Sequence, residues 1–426
     1  MSLSSSSGSP SRRRDFRLLL AGQTAGQLGA QISGVAIPLL AVLTLHASPL
    51  QLGLLTASGT LAFALIGLPA GAWVDRWPRR PILIASDLAR TVLLVSIPIA
   101  ALLGVLTIAQ LIVVSLLAGF ARVFFDLAYQ SYLPTVVGKD GLLAGNSTME
   151  SVRAFGQVAG PGIGGWLVAV VGAANVVLLQ AFTFALSAVS LAGIRAQEPA
   201  VPASPDRPRL WAQIRTGLRF VAGTPLLRAT AITSAAGNFA FAVASAVNFV
   251  FMVRVLGLSA TAIGVILAAG SVTVMVGAAL TPRLARWAGS ARLIWLSLAV
   301  TGPLALLGPL AQRGWLTGLL VLGIAAGELG QIVYAITNVS LRQRLCPEHL
   351  LGRVNATMRF LMMGLFPLGA LLGGVLGELA GPRATLWLSG GIIAASALPI
   401  RRALRGVRDV EDLPGWDVPA RTAEQS

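Results

Sequence analysis

The chain has 426 residues, of which 55% are hydrophobic and only 11% charged, with a formal charge of +16 and a mean hydropathy of +0.78. A soluble domain carries about 25% charged residues, so this chain cannot cover its own surface for water, and a soluble enzyme or binding domain is excluded. In a soluble protein the positive charge would suggest nucleic acid, but here its placement along the chain argues for a membrane protein with no nucleic-acid partner.

Apolar runs, each long enough to cross a bilayer at roughly 20 residues per helix, predict an all-α polytopic membrane protein with twelve transmembrane helices. Residues 1–15 are Ser-rich and read as a disordered cytoplasmic N-terminus. Arg12, Arg13 and Arg14 superficially resemble a twin-arginine export signal, but the apolar run behind them is far longer than a signal core, so they read as the anchor of the first span. The first six spans are predicted at 16–45, 50–74, 81–103, 106–132, 146–171 and 173–194, which makes 16–194 one six-helix half. The only long interruption, 195–225, is a cytoplasmic linker that opens with Pro199, Pro202, Pro205 and Pro208. Its basic part has Leu210, Trp211, Ile214 and Leu218 at helical spacing, which suits a helix lying on an anionic membrane surface; a plain solvated linker fits the composition equally. Six further spans follow at 226–253, 260–281, 291–312, 315–339, 355–379 and 383–400, giving a second half over 226–402. Residues 403–426 form a cytoplasmic tail.

Only Arg254, Arg313 and Arg383 fall in the odd-numbered gaps between spans, and Arg90, Arg122, Arg153 and Arg359 lie within spans. All other basic residues occupy the even-numbered gaps, the termini or the span ends that border them. This asymmetry is the positive-inside pattern, and it predicts a cell-membrane protein with both termini in the cytoplasm. The halves also echo each other: at one offset Asn146-Ser147-Thr148-Met149 maps onto Asn355-Ala356-Thr357-Met358, and Gly164-Gly165 onto Gly373-Gly374. Parallel repeats of this kind suit two six-helix halves with a substrate site near the midplane.

Span 5 contains Gly156, Gly160, Pro161, Gly164 and Gly165, with no acidic residue between Glu150 and Glu198. Gly156, Gly160 and Gly164 share one helical face where another backbone can approach closely, and Pro161 loosens the helix between them. A generic packing motif is the plain reading of the glycines alone. The whole string, however, resembles the antiporter motif G-x-x-x-G-P-x-x-G-G of drug/proton antiporters in the major facilitator superfamily, and every fixed position matches. The turn between spans 2 and 3, from Gly71 through Asp75 and Arg76 to Arg79 and Arg80, is similar to that superfamily's signature G-x-x-x-D-R-x-G-R-[RK], departing at Pro78. Phe124-Phe125-Asp126 through Tyr132-Leu133-Pro134, and Ser340-Leu341-Arg342-Gln343-Arg344 through Leu351-Gly352-Arg353-Val354-Asn355, resemble the branch containing macrolide-efflux proteins and the enterobactin exporter.

The resemblance implies a secondary active transporter that works by alternating access. It implies a cytoplasmic latch in which Asp75 faces the N-terminus of span 11, where free N–H groups favour an anion, while Arg76 and Arg79 bridge to acids at the same level. Asp87, Arg90, Glu150 and Arg153 fall near the inner ends of their spans and suit the same gate; snorkelling anchors are the plainer reading of the arginines. The corresponding turn of the second half, 277–286, has Thr281 where the acid would sit, so the latch is expected on one side only.

Coupling to protons needs a group that titrates within the membrane. Glu328, in the middle of span 10, is the prime candidate, because protonation would remove the cost of burying a carboxylate there. Asp126 and Arg122 in span 4 are candidates for proton coupling or substrate contact. Polar side chains on spans that line the central cavity in the superfamily mark its wall: Gln23, Gln27 and Gln31 on span 1, Asn238 and Ser245 on span 7, and Gln331, Tyr334 and Asn338 on span 10. Any single amide can instead be interhelical glue.

These features predict proton-coupled efflux of hydrophobic or macrolide-like drugs, with protons, a small-molecule substrate and the lipid bilayer as partners and a monomeric state. The alternatives are a dedicated exporter of a siderophore or other natural product, and a non-transporting membrane sensor. There is no nucleophile constellation, phosphate-binding loop or cysteine-rich metal site: Cys346 is the single cysteine, and His46 and His349 fall in loops on opposite sides. Neither enzymatic activity, a cofactor nor a bound metal is expected.

Overall fold

The computed structural model describes residues 10–74, 76–196, 198 and 210–413. These residues are helical, without strands, and contain twelve helices long and apolar enough to cross a membrane. Spans 1 to 6 are Arg13–Thr44, Pro49–Gly67, Arg79–Leu102, Ile108–Gly138, Ala144–Val171 and Ala173–Ala192. Spans 7 to 12 are Pro225–Val255, Ala260–Ala288, Ser290–Leu310, Gly314–Leu345, Leu350–Leu379 and Pro382–Ala403.

Several predicted ends move. The first helix starts at Pro10, inside the segment read as disordered, and Asp15 is buried at 4% exposure. Its carboxylate accepts the backbone N–H of Arg195 at 3.2 Å, which ties the chain after span 6 to the base of span 1. Between spans 4 and 5 the helical run is interrupted at Gly138, whose φ of 74° breaks it in two. Only glycine takes that conformation without strain. Spans 1 and 7 both end in a widened π-type turn, Leu40–Thr44 and Phe251–Val255.

The chain forms two compact units. The first contains spans 1 and 3 to 6, the greater part of span 2, and the start of span 8. The second contains spans 7 and 9 to 12, the rest of span 8, and the start of span 2. Most of each predicted half falls within one unit, but the first turns of span 2 belong to the second unit and those of span 8 to the first. Glycine decides this. A Cβ on Gly53 would lie 2.6 Å from the carbonyl of Ala370, and one on Gly264 would lie 2.6 Å from the carbonyl of Pro161. Only bare glycine backbones cross so closely.

Each unit has its own packed core. In the first, Leu19, Leu83, Tyr132, Leu133 and Leu191 are buried together; in the second, Leu227, Ile294, Leu341, Val354 and Ile400. Val410 and Leu413 belong to the second core, so the start of the predicted tail is part of the fold. It is held because it caps span 9. The carbonyl of Arg408 accepts the N–H groups of Ala291 and Arg292 at 3.0 and 3.2 Å, and Asp409 accepts that of Ser290 at 2.8 Å. The first unit repeats the device at the same step along the chain. Glu198 accepts the N–H groups of Arg79 and Arg80, both at 2.7 Å, at the start of span 3. A carboxylate there satisfies free N–H groups and meets the positive end of the helix dipole. Glu198→Ala is expected to lower the unfolding free energy by about 0.5–2 kcal/mol, read as a fall in thermal midpoint of the purified protein; an unchanged midpoint would remove this role.

The linker contains a helix, Leu210–Gly223. It packs against span 11 through Gly217, whose Cβ would meet Thr357 and the carbonyl of Arg353, and through the buried Val221. Leu218, part of the apolar face expected from the sequence, is 39% exposed. The side chains of Leu210, Trp211 and Ile214 lie outside the described residues. Cys346, between spans 10 and 11, is buried at 5% exposure, and burial pushes its thiol up.

Candidate functional site

A cavity of about 270 Å³ opens within the first unit, walled by spans 1, 3, 4 and 6 with Gly59 of span 2. Helical spacing brings its polar groups together. Gln23 and Gln27 lie one turn apart on span 1, Asp87 and Arg90 on span 3, and Arg122 and Asp126 on span 4, so each pair shares a face. Span 6 adds Gln180 and Ser187. Asp87 is fully buried and Arg90 is 8% exposed, and the two form an ion pair. The Arg90 guanidinium lies between two rings, 4.4 Å from the centroid of Phe125 and 4.1 Å from that of Phe184. Its charge is therefore held by a carboxylate and two aromatic faces. Arg122 and Asp126 pair more loosely at 3.6 Å, with side chains 73% and 47% exposed. Oδ2 of Asp87 and Oε1 of Gln180 are buried without a hydrogen-bond partner among the described residues.

Position along the chain groups Asp87 and Arg90 with the cytoplasmic gate. The structure instead puts them in one wall with Arg122, Asp126, Gln23 and Gln27. Depth estimated from span ends cannot separate a gate from a cavity floor; the facing of each helix does. Glu150 and Arg153 pair with each other at 2.8 Å at the start of span 5, both well exposed. Asp75, the proposed latch acid, lies outside the described residues. Gly71 has open space where a Cβ would lie, and Arg76 is exposed. Arg79 reaches the carboxylate of Glu198 at 3.9 Å, while Arg80 donates to the carbonyls of Leu191 (3.0 Å) and Ala192 at the end of span 6. Among the described residues, Arg79 and Arg80 thus bind the end of span 6 and the acid just beyond it. Glu198 is the residue that sequence reasoning missed; its one signal was an acid just after a span in a basic loop.

The glycine motif has two faces. Gly156, Gly160 and Gly164 pack on span 1, against Leu28, Gln31 and Ile32. Gln31 therefore lies at this crossing, outside the cavity wall that holds Gln23 and Gln27. Gly165 and the carbonyl of Pro161 meet Gly264 of span 8, where a Cβ on Gly165 would lie 2.7 Å from the Gly264 Cα.

In the second unit Glu328 is half-buried in span 10 beside Gly270 of span 8, and no cation pairs with it among the described residues. Gln331 is exposed toward Gly237 of span 7. Asn238 donates to the carbonyl of Ser234 at 3.0 Å, and Ser245 to that of Ala242 at 2.8 Å. Tyr334 and Asn338 are buried at 2% and 6% exposure. The Tyr334 hydroxyl shares a hydrogen bond with the Ser234 hydroxyl at 2.7 Å and donates to the carbonyl of Thr230 at 3.2 Å. Both are interior groups, not an open wall, and Tyr334 joins span 10 to span 7.

A family model described as transmembrane secretion effector, within the major facilitator superfamily, matches residues 5–423. The chain is 32% identical over 385 residues to the multidrug efflux pump Tap of Mycolicibacterium fortuitum, covering 86% of this chain and 90% of that one. It is 28% identical over 381 residues to the enterobactin exporter EntS of Escherichia coli O81 (strain ED1a), covering 88% of each. Among solved structures, a bacterial homologue of the iron transporter ferroportin, in an inward-facing state, superposes with a TM-score of 0.73 at 16% identity, over 92% of this chain and 98% of that one. The nucleoside transporter NupG gives a TM-score of 0.72 at 12% identity, over 93% and 99%. At such identities these two speak for the fold alone. The twelve spans, the glycine motif and these likenesses converge: the chain belongs to the transmembrane secretion effectors of the major facilitator superfamily and is a multi-pass membrane transporter.

Proposed function

We propose that the chain exports hydrophobic or macrolide-like small molecules in exchange for protons, by alternating access. It sits in the inner membrane with both termini in the cytoplasm, acts as a monomer, binds no nucleic acid and catalyses no covalent chemistry. The observation that carries the coupling is Glu328, a carboxyl within a membrane span with no paired cation among the described residues. A charge there is costly, and taking up a proton removes the cost, so the group can load and unload as access alternates. Asp126 and Arg122, loosely paired and exposed to the cavity, are proposed to exchange partners when substrate or proton enters. The likeness to the multidrug efflux pump Tap supports a drug substrate, and the uneven distribution of arginines supports the orientation. The likeness to EntS supports a second reading, export of a siderophore or other natural product.

Accumulation of a fluorescent cationic dye and of a macrolide, measured in an efflux-deficient bacterium with and without a protonophore, separates these readings. Lowered accumulation that the protonophore restores is expected for the wild type. Glu328→Gln, confirmed in the membrane, is expected to lose the pH-dependent part. Undiminished proton-driven export by that variant would rule out the coupling role of Glu328. Unchanged accumulation of both compounds by the wild type would transfer the weight to a dedicated natural-product exporter.

A further inference from the structure

A groove of about 910 Å³ lies in the second unit, where span 8 ends, span 9 begins and the chain leaves span 12. Five arginines line it: Arg292, Arg401, Arg402, Arg405 and Arg408. Among the described residues, no acidic side chain does. Arg401 lies 5.4 Å from the centroid of the Trp295 ring, and Arg408 reaches Asp409 at 3.6 Å. Arg292, Arg402 and Arg405 are exposed and make no side-chain hydrogen bond or ion pair among the described residues. Three guanidinium groups thus share one groove with no acidic partner among the described residues. Like charges brought together repel, so such convergence is favoured when an anion sits among them.

The first unit supplies an internal comparison. Its groove, at the start of span 3 and the exit of span 6, has about 740 Å³ and arises from the same capping arrangement. Its arginines are only Arg80 and Arg195; Arg80 is bonded to the end of span 6, and Glu198 stands in the wall. The groove is therefore a product of the repeat, whereas the concentration of positive charge belongs, among the described residues, to the second unit's groove. Topology anchors need only lie on the correct side of the membrane; they do not need to face a common hollow.

The rim on the membrane side is apolar. Trp287 at the end of span 8 is 79% exposed and Leu398 in span 12 is 48% exposed. Tryptophan at a span end favours the headgroup level of a bilayer. We propose that this groove binds the headgroup of an anionic phospholipid, with Arg292, Arg402 and Arg405 holding phosphate oxygens and the acyl chains lying against Trp287 and Leu398. Basic pockets between span ends suit phosphodiester headgroups carrying one or two charges, and planar guanidinium groups suit phosphate in particular.

The test uses the full-length chain purified in detergent and measures binding by native mass spectrometry with phosphatidylglycerol, cardiolipin, phosphatidylcholine and inorganic phosphate. The anionic lipids are expected to bind at least about tenfold more tightly than phosphatidylcholine, with inorganic phosphate unable to displace them at equal concentration. R292Q/R402Q/R405Q is expected to lose that preference, while R195Q in the first unit keeps it. Equal preference in the triple variant would overturn the proposal. Displacement by inorganic phosphate would also overturn it, assigning the groove to a free anion. Should the triple variant fail to fold, the wild type still decides: anionic-lipid binding that weakens with rising salt supports the arginine contacts, and binding indifferent to salt contradicts them.

Discussion

Arg90→Ala is expected to destabilise the first unit by about 3–5 kcal/mol, the usual effect of removing one partner from a buried ion pair, and to abolish export. Asp87 has no exposed surface, and Arg90 is its ion-pair partner in the cavity wall. Without Arg90 a carboxylate is left in a low-dielectric site, and its remaining cationic neighbour in the wall, Arg122, is loosely paired with Asp126. The two rings that stack on the guanidinium, Phe125 and Phe184, lose their contact as well. Thermal unfolding of the purified variant measures the effect. Asp87→Asn together with Arg90→Ala is expected to recover most of the stability, because the amide carries no charge to strand, but not export. Arg90→Lys is expected to fall between, since an ammonium keeps the charge and lacks the planar face. An Arg90→Ala variant within about 1 kcal/mol of wild type, well below the range for a buried pair, would show that the pair does not hold these spans together.

Gly165→Ala should be the most damaging single-methyl change in the glycine motif. The added carbon would meet the carbonyl of Ala260 and lie 2.7 Å from the Gly264 Cα, so backbone on span 8 would have to move. Overpacking of this kind costs about 1–3 kcal/mol. It is expected to separate spans 5 and 8 and to reduce export sharply even where the protein reaches the membrane. Two further glycines calibrate the argument. At Gly374 the nearest atom to an added Cβ is the Gly53 Cα at 3.0 Å, and at Gly71 nothing lies within 4 Å. The expected order of loss, in both thermal midpoint and drug accumulation, is Gly165→Ala, then Gly374→Ala, then Gly71→Ala with little effect. A neutral Gly165→Ala would mean that this crossing tolerates more room than its geometry implies.

The twelve spans, the repeat and the helix crossings were legible from the chain itself because each rests on a local rule. A bilayer demands a long apolar run whatever surrounds it, and glycine every fourth residue makes a smooth helical face wherever that helix packs. The pairs Arg122–Asp126 and Asp87–Arg90 obey helical periodicity, but it was the structure that showed them as pairs. What periodicity could not supply was the partner of each face. Gln23 and Gln27 line a cavity while Gln31, one turn on, lies against Gly160, because the cavity-facing stripe of span 1 continues through Ala30 and Gly34 and Gln31 has turned off it toward span 5. Tyr334 and Asn338 lie on the same span as Glu328, yet packing turns them into the core of the second unit. Likewise, Glu198 and Asp409 gained their roles only when the segments after spans 6 and 12 folded back onto the starts of spans 3 and 9. The sequence by itself determined which segments enter the membrane and which faces can pack closely, since hydrophobicity and side-chain size act residue by residue. Only the tertiary structure decided which charges share a cavity, which cap a helix and which converge on a groove, since these depend on residues distant in the chain being brought within a few ångströms by packing.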